Sequence, residues 1–401
     1  MATTTKAAEP TIDLLSGDFW GGDPHRALSW MREHAPVFWD GRVWGVAAYD
    51  LLREASRRPE VFSNAEGCRP DAMATPMMID MDDPDHRKRR KVVSEGFTPR
   101  RVREAESAVR RACDEIIDNV CERGKCDFVT DVAAWLPMIM IGDALGVEPS
   151  ERATLLRWSD DLMRGLVGSD GQEMERAMHA FTGFREYALD AIAQRRAEPR
   201  DDLLSVLVHA QVDGERLDEE SVIHEALLIL IGGDETTRHV ITGGLYQLLA
   251  NPEQKRKLVE DPAKIPVGVE EMLRWVSPIR NMNRTVTTDT ELGGTRLLAG
   301  DKVLLLYPSA NRDATVFADP FTFDVERYPN EHVAFGFGAH FCLGNNLARQ
   351  ELRCMFEHLL ARLPDIELVE AAEPANRPAN FVSGYESMPV RFTPTSRITD
   401  V

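Results

Sequence analysis

Residues 335–344, FGFGAHFCLG, place one cysteine, Cys342, among three glycines and three phenylalanines, two residues after His340. A purely structural cysteine needs no such setting. After Gly344 the apolar residues Leu347, Ala348, Leu352, Met355, Phe356, Leu359, Leu360 and Leu363 recur on one helical face, and Pro364 ends the pattern. Cys342 therefore stands just before a helix N-terminus, where unpaired N–H groups and the positive end of the helix dipole favour an anion. That placement predicts a lowered thiol pKa. The glycines let the backbone turn sharply and approach a flat ligand. Phe335, Phe337 and Phe341 can shield the sulfur from water. Residue types alone leave two readings open: a thiolate suited to a single metal bond, or a helix-capping loop around a free cysteine.

Upstream, residues 217–252 read as one helix, capped by Asp218 and ended at Asn251-Pro252. Leu227 to Ile231 is apolar all round, which buries its middle. Gly232, Gly233, Asp234, Glu235, Thr236 and Thr237 follow. Glycine in a helix centre costs about 1 kcal/mol relative to alanine, and threonine can bond back to the carbonyl four residues earlier and bend the helix. A widened, buried turn carrying Glu235 beside Thr236 suits proton delivery. The alternative is an amphipathic helix reaching solvent at Asp234, which the return to Val240, Ile241 and Leu245 weakens. A third stretch, EEMLRW, places Glu271 and Arg274 three apart, close enough to pair on a helix; alone, that is common surface chemistry.

The rest of the chain sets bounds. It has 401 residues, 43% of them hydrophobic, enough for a large core, with no repeat or long linker. VFWDGRVWGV reads as a hairpin turning at Asp40-Gly41, helical patterns dominate from about residue 86 to 276, and short strands return around Gly293-Gly294 and Gly300. A net charge of −19 argues against non-specific nucleic-acid binding. The N-terminal MATTTKAAEPTIDLLSGDFW has no apolar h-region, and no stretch is apolar for long enough to span a membrane. The expectation is a soluble, cytoplasmic protein. Six cysteines in this length fit a reducing compartment. CERGKC has no second metal-binding pair, so Cys113, Cys121 and Cys126 are expected to be ordinary helix and loop residues.

Together the three stretches resemble the cytochrome P450 haem-thiolate monooxygenases. The family's F-x-x-G-x-H-x-C-x-G loop is matched by Phe335, Gly338, His340, Cys342 and Gly344. Its [AG]-G-x-[DE]-[TS] helix motif is matched by Gly232, Gly233, Glu235 and Thr236, and its E-x-x-R pair by Glu271 and Arg274, with Arg327 as third member of an ion network. The resemblance implies a mainly α fold with small β-sheets, a single triangular-prism-like domain over residues 1–401. It implies one haem b per chain with Cys342 as axial ligand, O2 as co-substrate, and Glu235 and Thr236 in proton delivery. His86, Arg90, Arg284 and His340 are the implied propionate partners, and Phe335, Gly336 and Gly344 the haem-contacting loop residues.

The length leaves no room for a fused flavin domain, and no GxGxxG nicotinamide site is present, so a separate ferredoxin and ferredoxin reductase are implied. Arg87, Lys88, Arg100 and Arg101, in the densest basic runs, are the candidate docking cations. RPDAMATPMMIDMDDP, LLILIGGDETTRH, AFGFGAHFCLGN and RPANFVSGYESMPV are similar to actinobacterial steroid 26/27-monooxygenases. That likeness implies oxidation of the terminal methyl of cholesterol or cholest-4-en-3-one, by way of the alcohol or on to the acid. It places Met73, Met77, Met78, Ile79, Leu228, Ile231, Gly232, Ile279, Met282, Phe381 and Val382 around the substrate. Competing readings are the same chemistry on a fatty acid, terpene or polyketide, and a haem binder without turnover, which would have no use for Glu235-Thr236.

Overall fold

The computed structural model describes residues 10–165, 171–370 and 373–399; the first nine residues of the polar N-terminal stretch lie outside it. The hairpin expected at Asp40-Gly41 forms, with strand Val37–Trp39 antiparallel to Trp44–Val46. The Asp40 carboxylate fastens the turn by accepting the N–H groups of Arg42 and Val43, each at 2.8 Å. This hairpin edges a five-stranded sheet that continues with Lys302–Leu306, Asn281–Val286 and Phe62–Ser63. Lys302–Leu306 runs parallel to Trp44–Val46 and antiparallel to Asn281–Val286, with Val303 opposite Arg284. Alternation along Asn281–Val286 separates two tasks. Met282 and Arg284 face an internal cavity. Asn281 and Asn283 point the other way and donate to the carbonyls of Asn380 and Gly67.

Helices supply most of the remainder, including most of the described residues between 86 and 276. Cys113 and Cys121 lie in the helix Pro99–Cys121 as expected, but Cys126 sits on the short strand Lys125–Asp127 rather than in a loop. The central helix runs over Glu219–Ala250, 32 residues or about 48 Å at ~1.5 Å per residue. Asp218 caps it by accepting the Ser221 N–H at 2.6 Å. It is α-helical through Gly232–Thr237, so the expected widened turn is absent. The two glycines serve space instead. A Cβ on Gly233 would lie 2.7 Å from Cγ1 of Ile141, on the helix Trp135–Leu145, whereas one on Gly232 would meet nothing within 4 Å. Gly233 lets two helices approach; Gly232 opens onto the cavity.

The helix Ile265–Val276 and the helix Asn345–Arg362 also pack against the central helix. Between Ile265–Val276 and the loop before the cysteine, Glu271 and Arg274 are both fully buried. Arg274 donates Nε and Nη2 to the two Glu271 oxygens, each at 2.7 Å, and Nη1 to the carbonyls of Asn311 and Pro320. Arg327 Nε adds a contact at 3.1 Å, and Asn330 and the Asp324 N–H complete the shell around Glu271. Every oxygen lone pair is occupied, which is what makes a buried ion pair tolerable. The surface-chemistry reading of EEMLRW is overturned: the pair organises the meander that delivers the cysteine loop.

Candidate active site

A cavity with about 1510 Å3 of empty space, mouth included, lies between the cysteine loop and the central helix. The loop is folded back on itself: the Cys342 N–H donates to the Phe335 carbonyl at 2.9 Å, and Asn345 Nδ2 donates to the Cys342 carbonyl at 2.8 Å. Gly336, at φ +72°, and Gly344 join Phe335 and Phe341 on the cavity wall. The helix begins at Asn345, placing Cys342 just ahead of it as the sequence predicts. The expected fall in thiol pKa is not found. Burial raises it, although the N–H groups of Gly344 and Asn345 and the charges of Arg90 and Arg349 pull the other way. Desolvation outweighs the helix terminus here. Deprotonation would fall to a bound metal, since a coordinating thiol loses its proton outright.

His86, Arg90, Arg284 and His340 all line the same cavity. The rings of His86 and His340 lie 4.0 Å apart, centroid to centroid, at 31°. Burial lowers both imidazole pKa values, so each ring is neutral near pH 7. His86 Nε2 is buried and has no hydrogen-bond partner. Arg284 is 5% exposed and Arg90 half-buried; they donate to the carbonyls of Asn283 and Phe341, and no carboxylate pairs with either among the described residues. A partnerless imidazole nitrogen and two guanidinium groups lacking acids suit a ligand that brings its own carboxylates. A Cβ on Gly344 would meet nothing within 4 Å, as at Gly232, so open space lies beside the backbone on both the cysteine and central-helix sides. Thiol, cations and open slot fit a haem.

On the central helix, Thr236 and Thr237 reach the cavity, and Thr236 Oγ1 donates to the Gly232 carbonyl at 2.8 Å. Glu235 does not reach it. Its carboxylate is fully buried in an ion cluster with Arg238, with His239 Nε2 at 3.4 Å and with Arg377 Nη1 at 3.6 Å. Arg238 also holds Asp160 at 2.8 Å. Burial would raise the Glu235 pKa, but the cations, led by Arg238, keep it well below the usual carboxylate range. The stretch ETTRH carried this signal, with Arg238 and His239 three and four residues on from Glu235. Arg377 and Asp160 are distant in sequence and had none.

Six of the residues expected around a substrate line the cavity: Met78, Ile79, Leu228, Gly232, Ile279 and Met282. Five do not. Met73 is 90% exposed on a loop crest. Met77 stops one residue short, because the 3₁₀ turn Met78–Asp80 directs the next residues inward. Ile231 is partly buried and packs against the core cluster that holds Leu230. Val382 is taken up in a bridge with Ile279, and Phe381 packs under the Arg69 guanidinium, 5.1 Å from its ring centre. Two buried acids were given no role by the sequence. Glu351, on the helix after Cys342, lines the cavity with Oε2 partnerless, and Asp234 is wholly buried with neither oxygen hydrogen-bonded. Glu351 interrupts an otherwise apolar helix face, the one clue available.

Three of the four expected docking cations are already paired. Lys88 meets Asp213 at 2.5 Å, Arg100 meets Glu104 at 2.8 Å and Arg101 meets Asp201 at 2.9 Å. Among the described residues only Arg87 of the four has no acid partner. A concavity beside the cysteine helix holds Arg103, together with Arg349 paired to Glu270 and Arg353 paired to Glu106. No helix among the described residues is long and apolar enough to cross a membrane.

Residues 138–265 and 267–382 match the cytochrome P450 family. A steroid C26-monooxygenase of Mycolicibacterium smegmatis is 52% identical over 98% of this chain and 99% of its own length. A steroid C26-monooxygenase of Mycobacterium tuberculosis is 54% identical over 96% of this chain and 98% of its own. Among solved structures, the Mycobacterium marinum cytochrome P450 CYP268A2 in complex with pseudoionone superposes with a TM-score of 0.90 at 34% identity, covering 97% of this chain and all, 100%, of that one.

Proposed function

The chain belongs to the cytochrome P450 family of monooxygenases, and from that membership we propose that it oxidises the terminal methyl of a sterol side chain, with cholest-4-en-3-one or cholesterol as substrate and a ferredoxin as electron donor. The observation that carries this reading is one cavity in which a cysteine thiol and acid-free cations face a wall of flexible hydrocarbon side chains. In this reading Cys342 ligates the iron of haem b, and Arg90, Arg284 and His86 hold its propionates. Haem iron, when bound, supplies O2 activation, which a thiolate ligand favours by donating electron density.

The chain's own residues then do three things. Met78, Ile79, Leu228, Ile279 and Met282 exclude water and accept a long aliphatic chain without polar contacts; each buried CH2 contributes about 0.8 kcal/mol, so several give micromolar affinity. Methionine adapts to an irregular outline. Gly232 leaves room for a methyl beside the helix. Thr236 Oγ1 holds a proton donor at that same point. That the two relatives are steroid C26-monooxygenases supports the substrate class.

The test is a reduced-CO difference spectrum followed by titration with cholest-4-en-3-one and with a long-chain fatty acid. Thiolate ligation gives the family's CO band in the wild type and none in Cys342→Ala. The sterol is expected to shift the ferric Soret band to shorter wavelength and to yield product oxygenated on a terminal methyl. A tight shift by the fatty acid with none by the sterol would move the assignment to lipid hydroxylation.

A further inference from the structure

Glu225 is a buried carboxylate near the start of the central helix, 0% exposed and outside the Glu235 cluster. Its Oε1 accepts the backbone N–H of Met78 at 2.7 Å and Nη1 of Arg89 at 3.2 Å. Arg89 comes from the helix Asp85–Ser94, and its Nη2 also reaches Ser221 Oγ at 3.4 Å. Met78 and the next residue, Ile79, line the cavity. The loop that carries them is shaped internally by other acids. Asp80 accepts the N–H groups of Cys68 and Thr75, and Asp82 that of Asn64. Those bonds give the loop its form; the bond to Glu225 ties it to the central helix, from which Leu228 and Gly232 supply further cavity wall.

We propose that Glu225 is a positioning residue for the substrate: together with Arg89 it clamps the Met78 N–H, fixes the Met78–Ile79 wall against the central helix, and so sets the width of the space that receives the sterol's apolar end. This rests on the sterol reading above. A charged acceptor holds an N–H about twice as strongly as a neutral one. Burial pushes the Glu225 carboxyl up to about 7, opposed by Arg89 and the Met78 N–H. Arg89 is the charged group facing it, and Asp218, at the helix cap, shares the field of Arg89. The clamp therefore tightens as pH rises from 6 to 8 and Glu225 ionises.

Two measurements on the haem-loaded enzyme decide this: hydrogen exchange across residues 72–82 without substrate, and spectral titration with cholest-4-en-3-one. Glu225→Ala should lower protection of the Met78 amide and raise the sterol Kd, each about tenfold, or about 1.4 kcal/mol. Glu225→Gln keeps an oxygen for the Met78 N–H, so it should recover most of the affinity while abolishing the rise in protection between pH 6 and 8. Unchanged protection and Kd in Glu225→Ala, or a Gln variant as weak as Ala, would overturn the proposal. If no sterol shifts the spectrum even of the wild type but exchange follows these expectations, the clamp stands and the sterol assignment falls. If the sterol binds and exchange is indifferent to Glu225, the clamp alone falls.

Discussion

Glu235 and Thr236 are adjacent in the chain yet face different surroundings: the Thr236 hydroxyl donates to the Gly232 carbonyl within the cavity, while the Glu235 carboxylate is sealed among Arg238, His239 and Arg377. Successive helix residues point about 100° apart, at 3.6 per turn. The acid and the hydroxyl expected to cooperate are thus divided between an ion cluster and a reaction space. The cluster holds a fixed charge behind the helix; the hydroxyl alone meets the substrate side.

Thr236→Ala is therefore expected to keep the CO spectrum and sterol binding but to lose coupling. Without the hydroxyl, reducing equivalents should leave as peroxide, with product per NADH falling several-fold. General acid groups contribute about 10²–10⁴-fold to rate. Unchanged product per NADH would remove Thr236 from proton delivery.

Glu235→Gln should act first on stability. It leaves Arg238 with Asp160, and Arg377 with Asp160 and Glu386. Removing one member of a buried ion cluster costs about 3–5 kcal/mol. A lowered denaturant midpoint, partly restored in the Glu235→Gln, Arg238→Gln double variant, would identify coupling within the cluster. Equal midpoints in all three proteins would show that the cluster contributes nothing.

The elements that build the site were largely legible because they rest on local rules. Asp40-Gly41 made its hairpin, Asp218 and Asn251-Pro252 bounded the central helix, and Pro364 lies just past the end of the cysteine helix. What escaped was set by contacts between distant segments. Glu351 was marked only by its place on an apolar helix face, and Met73 and Met78 read alike, yet Met73 is exposed on the loop while Met78 opens the 3₁₀ turn that faces inward. The Glu271–Arg274 spacing was visible, but its burial comes from carbonyls tens of residues away.

That burial makes Arg274 a strong structural prediction. Arg274→Ala leaves Glu271 charged and removes the donors that hold the Asn311 and Pro320 carbonyls. A loss of about 3–5 kcal/mol is expected, with little folded haem protein recovered at 37 °C. Arg274→Lys cannot serve two carboxylate oxygens in parallel and should rescue only weakly. Near wild-type urea midpoints would contradict this.

Electron delivery can be tested at cations that are free rather than at those already paired. Arg87→Glu and Arg103→Glu should slow reduction by an acidic ferredoxin at low ionic strength and flatten its salt dependence. Lys88→Glu and Arg101→Glu should do less per charge, because Asp213 and Asp201 already offset those cations. Equal effects at all four positions would mean that net charge, not a docking surface, governs the rate.

Glu351 supplies a pH signature. It is 3% exposed, and burial, reinforced by the nearby negative charge of Asp234, pushes its carboxyl up to about 8. Folded, it keeps its proton at neutral pH; unfolded, it ionises above about 4.5. Between those values the unfolded chain binds fewer protons, so stability from this group falls as pH rises and levels off above about 8. One proton accounts for a slope of about 1.4 kcal/mol per pH unit at most. Glu351→Gln mimics the protonated acid and cannot ionise, so it should lack this slope. Urea midpoints of the haem-loaded proteins at pH 5, 6.5 and 8 are expected to show the variant gaining on the wild type as pH rises. Parallel curves for wild type and Glu351→Gln would mean that the carboxyl titrates normally, and that water or a ligand group reaches it in the loaded enzyme.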